Sequence, residues 1–173
     1  MPRPRDPATP SPPPATLTVD VSDRQRVLRL SAAGIRRLVR RALSAQRVVR
    51  AEIGVVLLDD RRIAALHRRW LGVPGPTDVI TFDLAPAAGP VGDGVVRGDI
   101  VASVETARRM ARVVGWTPRQ ELAYYLVHGV LHLTGHDDVD PADRRAMRAR
   151  ERAVLRACGL PAPPRPRAAG ARP

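Results

Sequence analysis

Residues 117–138 read TPRQELAYYLVHGVLHLTGHDD, and the punctuation of this stretch sets the frame for the rest of the chain. Thr117 is an N-cap residue. Pro118 fits the first helical position, where its missing N–H costs nothing, and Gln120 at the third position completes a capping box. Gly135 supplies the left-handed residue that commonly follows a helix. The spacing therefore predicts one helix from Thr117 to Thr134, with Tyr124 and Tyr125 as packing residues. His128 and His132 are four apart on it, about 40° from each other around the axis and one turn apart, on the same face.

Working outward, each neighbouring segment shows a period of its own. Residues 15–22 alternate Leu17, Val19 and Val21 as a strand does. Residues 31–46 place Ile35, Leu38, Val39, Ala42 and Leu43 on one face and arginines on the other, behind Ser31 as N-cap. Residues 51–60 form a short apolar run suited to a central strand. Ile63, Leu66, His67, Trp70 and Leu71 recur at helical spacing up to Gly72. Residues 77–84 alternate again, and 85–94 read as a flexible loop. Residues 95–107 start as a strand and turn helical near Glu105, with Ser103 as cap, and that helix stops at Gly115. A last helix opens at Asp140 and Pro141 and ends at Gly159. The order β-α-β-α-β-β-α-α-α implies an α+β domain: a small mixed sheet of about four strands covered by helices.

Residues 1–14 and 161–173 are rich in proline without apolar periodicity. They are expected to be disordered tails, which leaves one domain over 15–160. The formal charge is +12, from 29 basic and 17 acidic residues, and every basic residue is arginine. Such a surface favours phosphate polyanions, although a solvated, arginine-biased surface is the plainer reading of charge alone. The single cysteine, Cys158, excludes a disulfide within the chain. No secretory signal is visible, and no apolar run approaches the roughly 18 residues needed to cross a bilayer. The expectation is a cytoplasmic protein without a membrane. Aromatic residues are scarce, which disfavours nucleic-acid binding by base stacking.

Paired histidines four apart are more often ordinary polar residues than ligands. Here a glycine break and an acidic cluster follow at the distance a metal site needs. Gly135 lets the chain leave the helix, and Asp138 is well placed to swing back as a third ligand, with His136 and Asp137 as rivals. The pattern H-x-x-x-H-x-x-G-x-x-D is the spacing of a zincin-like metal helix, with aspartate in the last position. Two imidazoles and a carboxylate suit one Zn²⁺ ion. The aspartate lowers the net positive charge of the site and shifts its preference toward metals that accept oxygen ligands. Gly129 stands where a zinc protease carries its glutamate base. Glu121, two turns before His128, is a candidate partner or proton acceptor, against the plainer reading of a helix-start carboxylate favoured by the dipole.

Three stretches together resemble one family. HGVLHLTGHDD (128–138) is similar to the HGxLHLxGxDH signature of the YbeY-type bacterial endoribonucleases, PTDVITF (76–82) to their PTDVLSF strand, and GDIVASVETA (98–107) to their GDIxIS segment. The resemblance covers about residues 17–158. It implies a zinc-dependent, single-strand-specific endoribonuclease acting in 16S rRNA 3′-end maturation and ribosome quality control, with rRNA and the small ribosomal subunit as partners. The family's three zinc histidines fall on His128, His132 and Asp138. The family often carries an arginine shortly before PTDV, where this chain has Leu71; Arg68 and Arg69 lie close enough to substitute, with Arg69 as the catalytic candidate and both as substrate-binding candidates. His128 is the other catalytic candidate. The rival functions are a non-catalytic ribosome assembly factor with structural zinc and a zinc metalloprotease that lacks its base.

Overall fold

Along the second strand Ala51, Ile53, Val55 and Leu57 are all buried on one side, while Val56 and Leu58 turn to the other. A strand flanked by apolar layers on both faces sits in the middle of a sheet, and the computed structural model, which describes residues 16–84 and 94–162, places it there. The elements are β1 (Thr16–Asp23), α1 (Ala32–Ala45), β2 (Arg50–Leu58), α2 (Asp60–Leu71), β3 (Val79–Asp83), β4 (Val96–Ser103), α3 (Val104–Val114), α4 (Pro118–Leu133) and α5 (Pro141–Ala157). This is the expected order. Residues 1–14 and 163–173 of the expected tails and residues 85–93 of the expected loop lie outside the described residues.

The sheet runs β1-β2-β4-β3. β1, β2 and β4 are parallel, and β3 is an antiparallel edge strand on β4. The mixed α+β architecture is thus as the periodicities imply. Side-chain alternation divides the core into two layers. Ile100 and Ala102 of β4 join the large cluster with α1, α4 and α5, whereas Val101 joins Ile63, Ile80 and Leu58 under α2.

Local chemistry fixes the element ends. Ser31, Asp59, Ser103, Thr117 and Asp140 each cap a helix with a side-chain oxygen, and the Thr117–Gln120 capping box is complete. β3 begins at Val79, two residues later than the alternation suggests. Asp78 Oδ1 accepts hydrogen bonds from the Thr77 hydroxyl (3.1 Å) and the Val79 amide (2.9 Å), so these residues form a local turn before the ladder starts.

Helix α4 lies unusually close to the sheet, and two glycines permit it. A Cβ on Gly129 would stand 2.8 Å from Ile100 Cγ2 and 3.2 Å from Thr81 Cγ2; one on Gly98 would stand 2.5 Å from Leu133 Cδ2. This contact turns the Gly129 position to the sheet and leaves the neighbouring His128 position to face α5.

Candidate metal centre

The C-terminal turn of α4 builds the centre. Gly135 adopts φ +87°, and the His136 amide closes the turn on the Leu131 carbonyl at 3.0 Å. The chain reverses and brings Asp138 back over the helix. His128 Nε2 and His132 Nε2 are 3.0 Å apart. Asp138 Oδ2 is 4.0 Å from the first and Oδ1 is 3.9 Å from the second. Tetrahedral zinc with bonds of about 2.0–2.2 Å has ligand atoms roughly 3.3–3.5 Å apart, and these separations bracket that value. Among the described residues this is the one group of three metal-binding side chains whose ligand atoms converge, all within 4.8 Å. The donor set therefore fits a divalent cation.

The rival ligands are engaged elsewhere. His136 Nε2 lies 3.2 Å from Gln46 Oε1 at the end of α1. Asp137 Oδ1 accepts the Asp138 amide at 2.7 Å and braces the loop. Arg144 adds a clamp from α5, donating to the carbonyls of Asp138 (3.3 Å) and Val139 (2.6 Å).

Behind His128 stands a residue that sequence reasoning missed. Glu151 of α5 is buried, and its Oε1 lies 2.8 Å from His128 Nδ1 and accepts the Tyr124 hydroxyl at 2.9 Å. A carboxylate there holds the proton on Nδ1 and aims the Nε2 lone pair forward. Glu121 is also buried, in the first turn of α4, but the carboxylate that braces His128 comes from Glu151. The available signal was the stripe of α5: Met147, Val154, Leu155 and Cys158 are buried at helical spacing, and Glu151 interrupts them.

The electrostatics separate the two histidines. Burial works against charge on His128, but the hydrogen bond to Glu151, the Glu151 charge, and the charges of Asp78 and Asp138 outweigh it and raise its pKa. Burial and the neighbouring His128 hold His132 below the ordinary imidazole value. Protons therefore compete for this centre chiefly at His128.

The other two motif stretches are tied to each other across the sheet. The Ser103 amide donates to the Asp78 carbonyl at 2.9 Å, tying the start of β3 to the end of β4. The Ser103 hydroxyl also donates to Asp60 Oδ1, as does Thr106 Oγ1 (2.6 Å), while Arg109 reaches Asp60 Oδ2 at 2.7 Å. The Asp60 amide donates to Glu105 Oε2 at 2.9 Å. The polar residues of GDIVASVETA thus lock the starts of α2 and α3 together.

Arg68 and Arg69 are exposed in the last turn of α2, on the sheet face opposite α4. The Arg69 guanidinium stands 5.6 Å from the centroid of the Trp70 ring, which in turn meets Phe82 edge-on at 5.8 Å. Neither arginine forms an ion pair or hydrogen bond with the His128–His132–Asp138 group. Leu71, at the position of the family arginine, is 58% exposed. No described helix is long and apolar enough to cross a membrane.

Comparison with known proteins identifies the family. The sequence profile described as Endoribonuclease YbeY matches residues 20–159. The chain is 41% identical over 144 residues to an Endoribonuclease YbeY of Anaeromyxobacter sp. (strain Fw109-5), a match spanning 83% of this chain and 73% of that protein. It is 44% identical over 113 residues to an Endoribonuclease YbeY of Methylocella silvestris, across 65% of this chain and 62% of that protein. A solution structure of a Thermotoga maritima protein shares the fold, with a TM-score of 0.52 at 19% identity over 80% of this chain and 89% of that one. The three motif stretches all lie within the residues that the profile matches, and the chain belongs to the YbeY family.

Proposed function

We propose that the protein is a metal-dependent, single-strand-specific endoribonuclease that acts on rRNA in the cytoplasm. Its proposed tasks are 16S 3′-end maturation and quality control on the small ribosomal subunit. The observation that carries the reading is the convergence of His128, His132 and Asp138 in a chain whose relatives are described as endoribonucleases. These residues would hold one Zn²⁺ ion, which supplies Lewis acidity toward a phosphodiester oxygen. Glu151 keeps the Nδ1 proton of His128, and Asp138 offsets part of the positive charge. Arg68 and Arg69, although α2 packs on the sheet face opposite α4, are the proposed RNA contacts, with Arg69 as the proposed source of positive charge for the phosphate.

Two observations weigh against the rival readings. Structural zinc sites are closed by four protein ligands, whereas catalytic ones keep a position open. Here three ligands converge among the described residues, and the Asp138 side chain is 46% exposed. A protease base at position 129 has no space, because that position faces Ile100 and Thr81. RNA, by contrast, carries its own 2′-hydroxyl nucleophile, so a nuclease has no need of a carboxylate there.

The test is cleavage of a single-stranded RNA by the zinc-loaded protein and by His132→Ala, with zinc content measured on both. Loss of zinc and of cleavage together is expected. Equal cleavage by both proteins would mean a contaminating nuclease and would end this reading.

A further inference from the structure

Helix α1, AAGIRRLVRRALSA, is the one described helix without an acidic side chain. It buries Ile35, Val39, Ala42 and Leu43 and keeps Arg36, Arg37, Arg40 and Arg41 on its outer side. Pairs of these are four apart, about 6 Å along the axis, and like charges at that spacing repel one another. No carboxylate among the described residues forms an ion pair with any of the four. The repulsion is therefore left standing within the fold.

Two of the four are anchored. Arg36 Nε donates to the Val19 carbonyl at 3.2 Å and Arg40 Nε to the Leu17 carbonyl at 2.9 Å. Both carbonyls belong to β1, the edge strand, so these side chains cover the open edge of the sheet. Each guanidinium is fixed through Nε, and its terminal nitrogens have no further partner among the described residues. Between them lies a shallow, solvent-open groove on the face of α1 itself, lined by Ala33, Arg36, Arg37, Arg40, Arg41 and Ser44.

We infer that this groove binds the sugar–phosphate backbone of an RNA strand, as a surface separate from the metal centre. Arginine forks match phosphate oxygens, and anchoring two of them in advance reduces the ordering cost of binding. No aromatic side chain lines the groove, so it holds backbone without reading bases. The far end of α1 also meets the metal loop: Gln46 Oε1 accepts Arg150 Nε at 3.0 Å and lies 3.2 Å from His136 Nε2. The choice of RNA among polyanions rests on the proposed nuclease function.

The experiment uses the full chain, a 2′-O-methyl oligouridine that cannot cyclise, and fluorescence anisotropy across a salt series. The variant Arg37→Gln/Arg41→Gln spares both anchored arginines. Losing two phosphate contacts on a single strand lowers the slope of log K against log salt by about 1.4, and the expected affinity loss at low salt is at least severalfold. The control Arg145→Gln/Arg152→Gln removes the same charge from exposed positions on α5 and is expected to leave the slope unchanged. An unaltered slope in the α1 variant, or an equal drop in the control, overturns the inference. So does oligoglutamate of matched charge binding as tightly and losing as much in the variant, which would make the partner an acidic protein. Cleavage of unmodified RNA is followed in parallel. A wild type that binds but does not cut sinks the nuclease reading and leaves the groove; one that cuts while the α1 variant binds normally sinks the groove alone.

Discussion

Glu151 and His128 are 23 residues apart in sequence and 2.8 Å apart in space, carboxylate oxygen to Nδ1. This pair joins α5 to α4 and sets which imidazole nitrogen faces His132 and Asp138. Glu151→Gln keeps the shape but removes the charge that holds the Nδ1 proton. Loss of such a partner typically weakens metal binding about 10- to 100-fold. The expected result is a drop of that size in Zn²⁺ affinity, measured by chelator competition, with the circular dichroism spectrum unchanged. Tyr124→Phe, which removes the other hydrogen bond to Glu151 Oε1, is expected to cost far less. Equal affinity in Glu151→Gln and wild type would show that the carboxylate does not tune the ligand.

The contrast between Asp138 and Glu151 explains what the sequence could and could not disclose. Asp138 was legible because the device that delivers it is local: a helix end, Gly135 and three more residues. The same holds for the capped starts of α3, α4 and α5, where capping oxygen and amide lie within three residues. Glu151 was hidden because its meaning depends on how α5 packs on α4. Gly129 was legible only as a missing glutamate; its contact with Ile100 belongs to the tertiary fold. Arg36 and Arg40 looked like ordinary charges on a helix face, since nothing in the sequence aligns them with the carbonyls of β1.

Gly129→Val tests the close approach of α4 to the sheet. Its Cβ alone would meet Ile100 Cγ2 at 2.8 Å, and overpacking of this kind costs about 1–3 kcal/mol. Gly129→Ala makes the same first contact but gains up to about 1 kcal/mol in helix propensity, so its net loss is smaller. Urea denaturation should rank wild type, Ala and Val in falling order. Trimming Ile100 to Ala should make the valine substitution less costly than in the wild-type background. Additive costs across that double-mutant cycle would rule out direct contact as the cause.

Asp60 provides the pH-dependent prediction. Burial would raise its pKa, but hydrogen bonds from Ser103, Thr106 and Arg109, with the Arg109 charge, outweigh burial and hold it below the usual value of 3.8. A depressed carboxylate contributes stability that is present above the unfolded pKa and lost as pH falls through the folded one. Asp60→Asn should therefore be less stable than wild type at neutral pH, by about 1–3 kcal/mol. The low end is expected, because the Arg109 side chain is 54% exposed. The two stability curves should draw together below pH 3.8. Parallel curves down to acid would mean that the charge of Asp60 contributes nothing.

Arg69 and Leu71 are the two positions at which the proposed supply of positive charge to a phosphate can be tested. Both are in the last turn of α2, before the loop that leads to Asp78. If Arg69 substitutes for the family arginine, Arg69→Ala should lower kcat/KM on single-stranded RNA by roughly 100-fold, the effect of losing one group that stabilises transition-state charge. Zn²⁺ content should not change, because Arg69 makes no bond to His128, His132 or Asp138. Adding Leu71→Arg to that variant restores a guanidinium at the family position and should recover much of the rate. Leu71 is already exposed, so the larger side chain fits without repacking the core. An Arg69→Ala protein that cleaves at the wild-type rate would remove Arg69 from the catalytic set. In that case Leu71→Arg alone should accelerate cleavage, because the position would have been left without its charge.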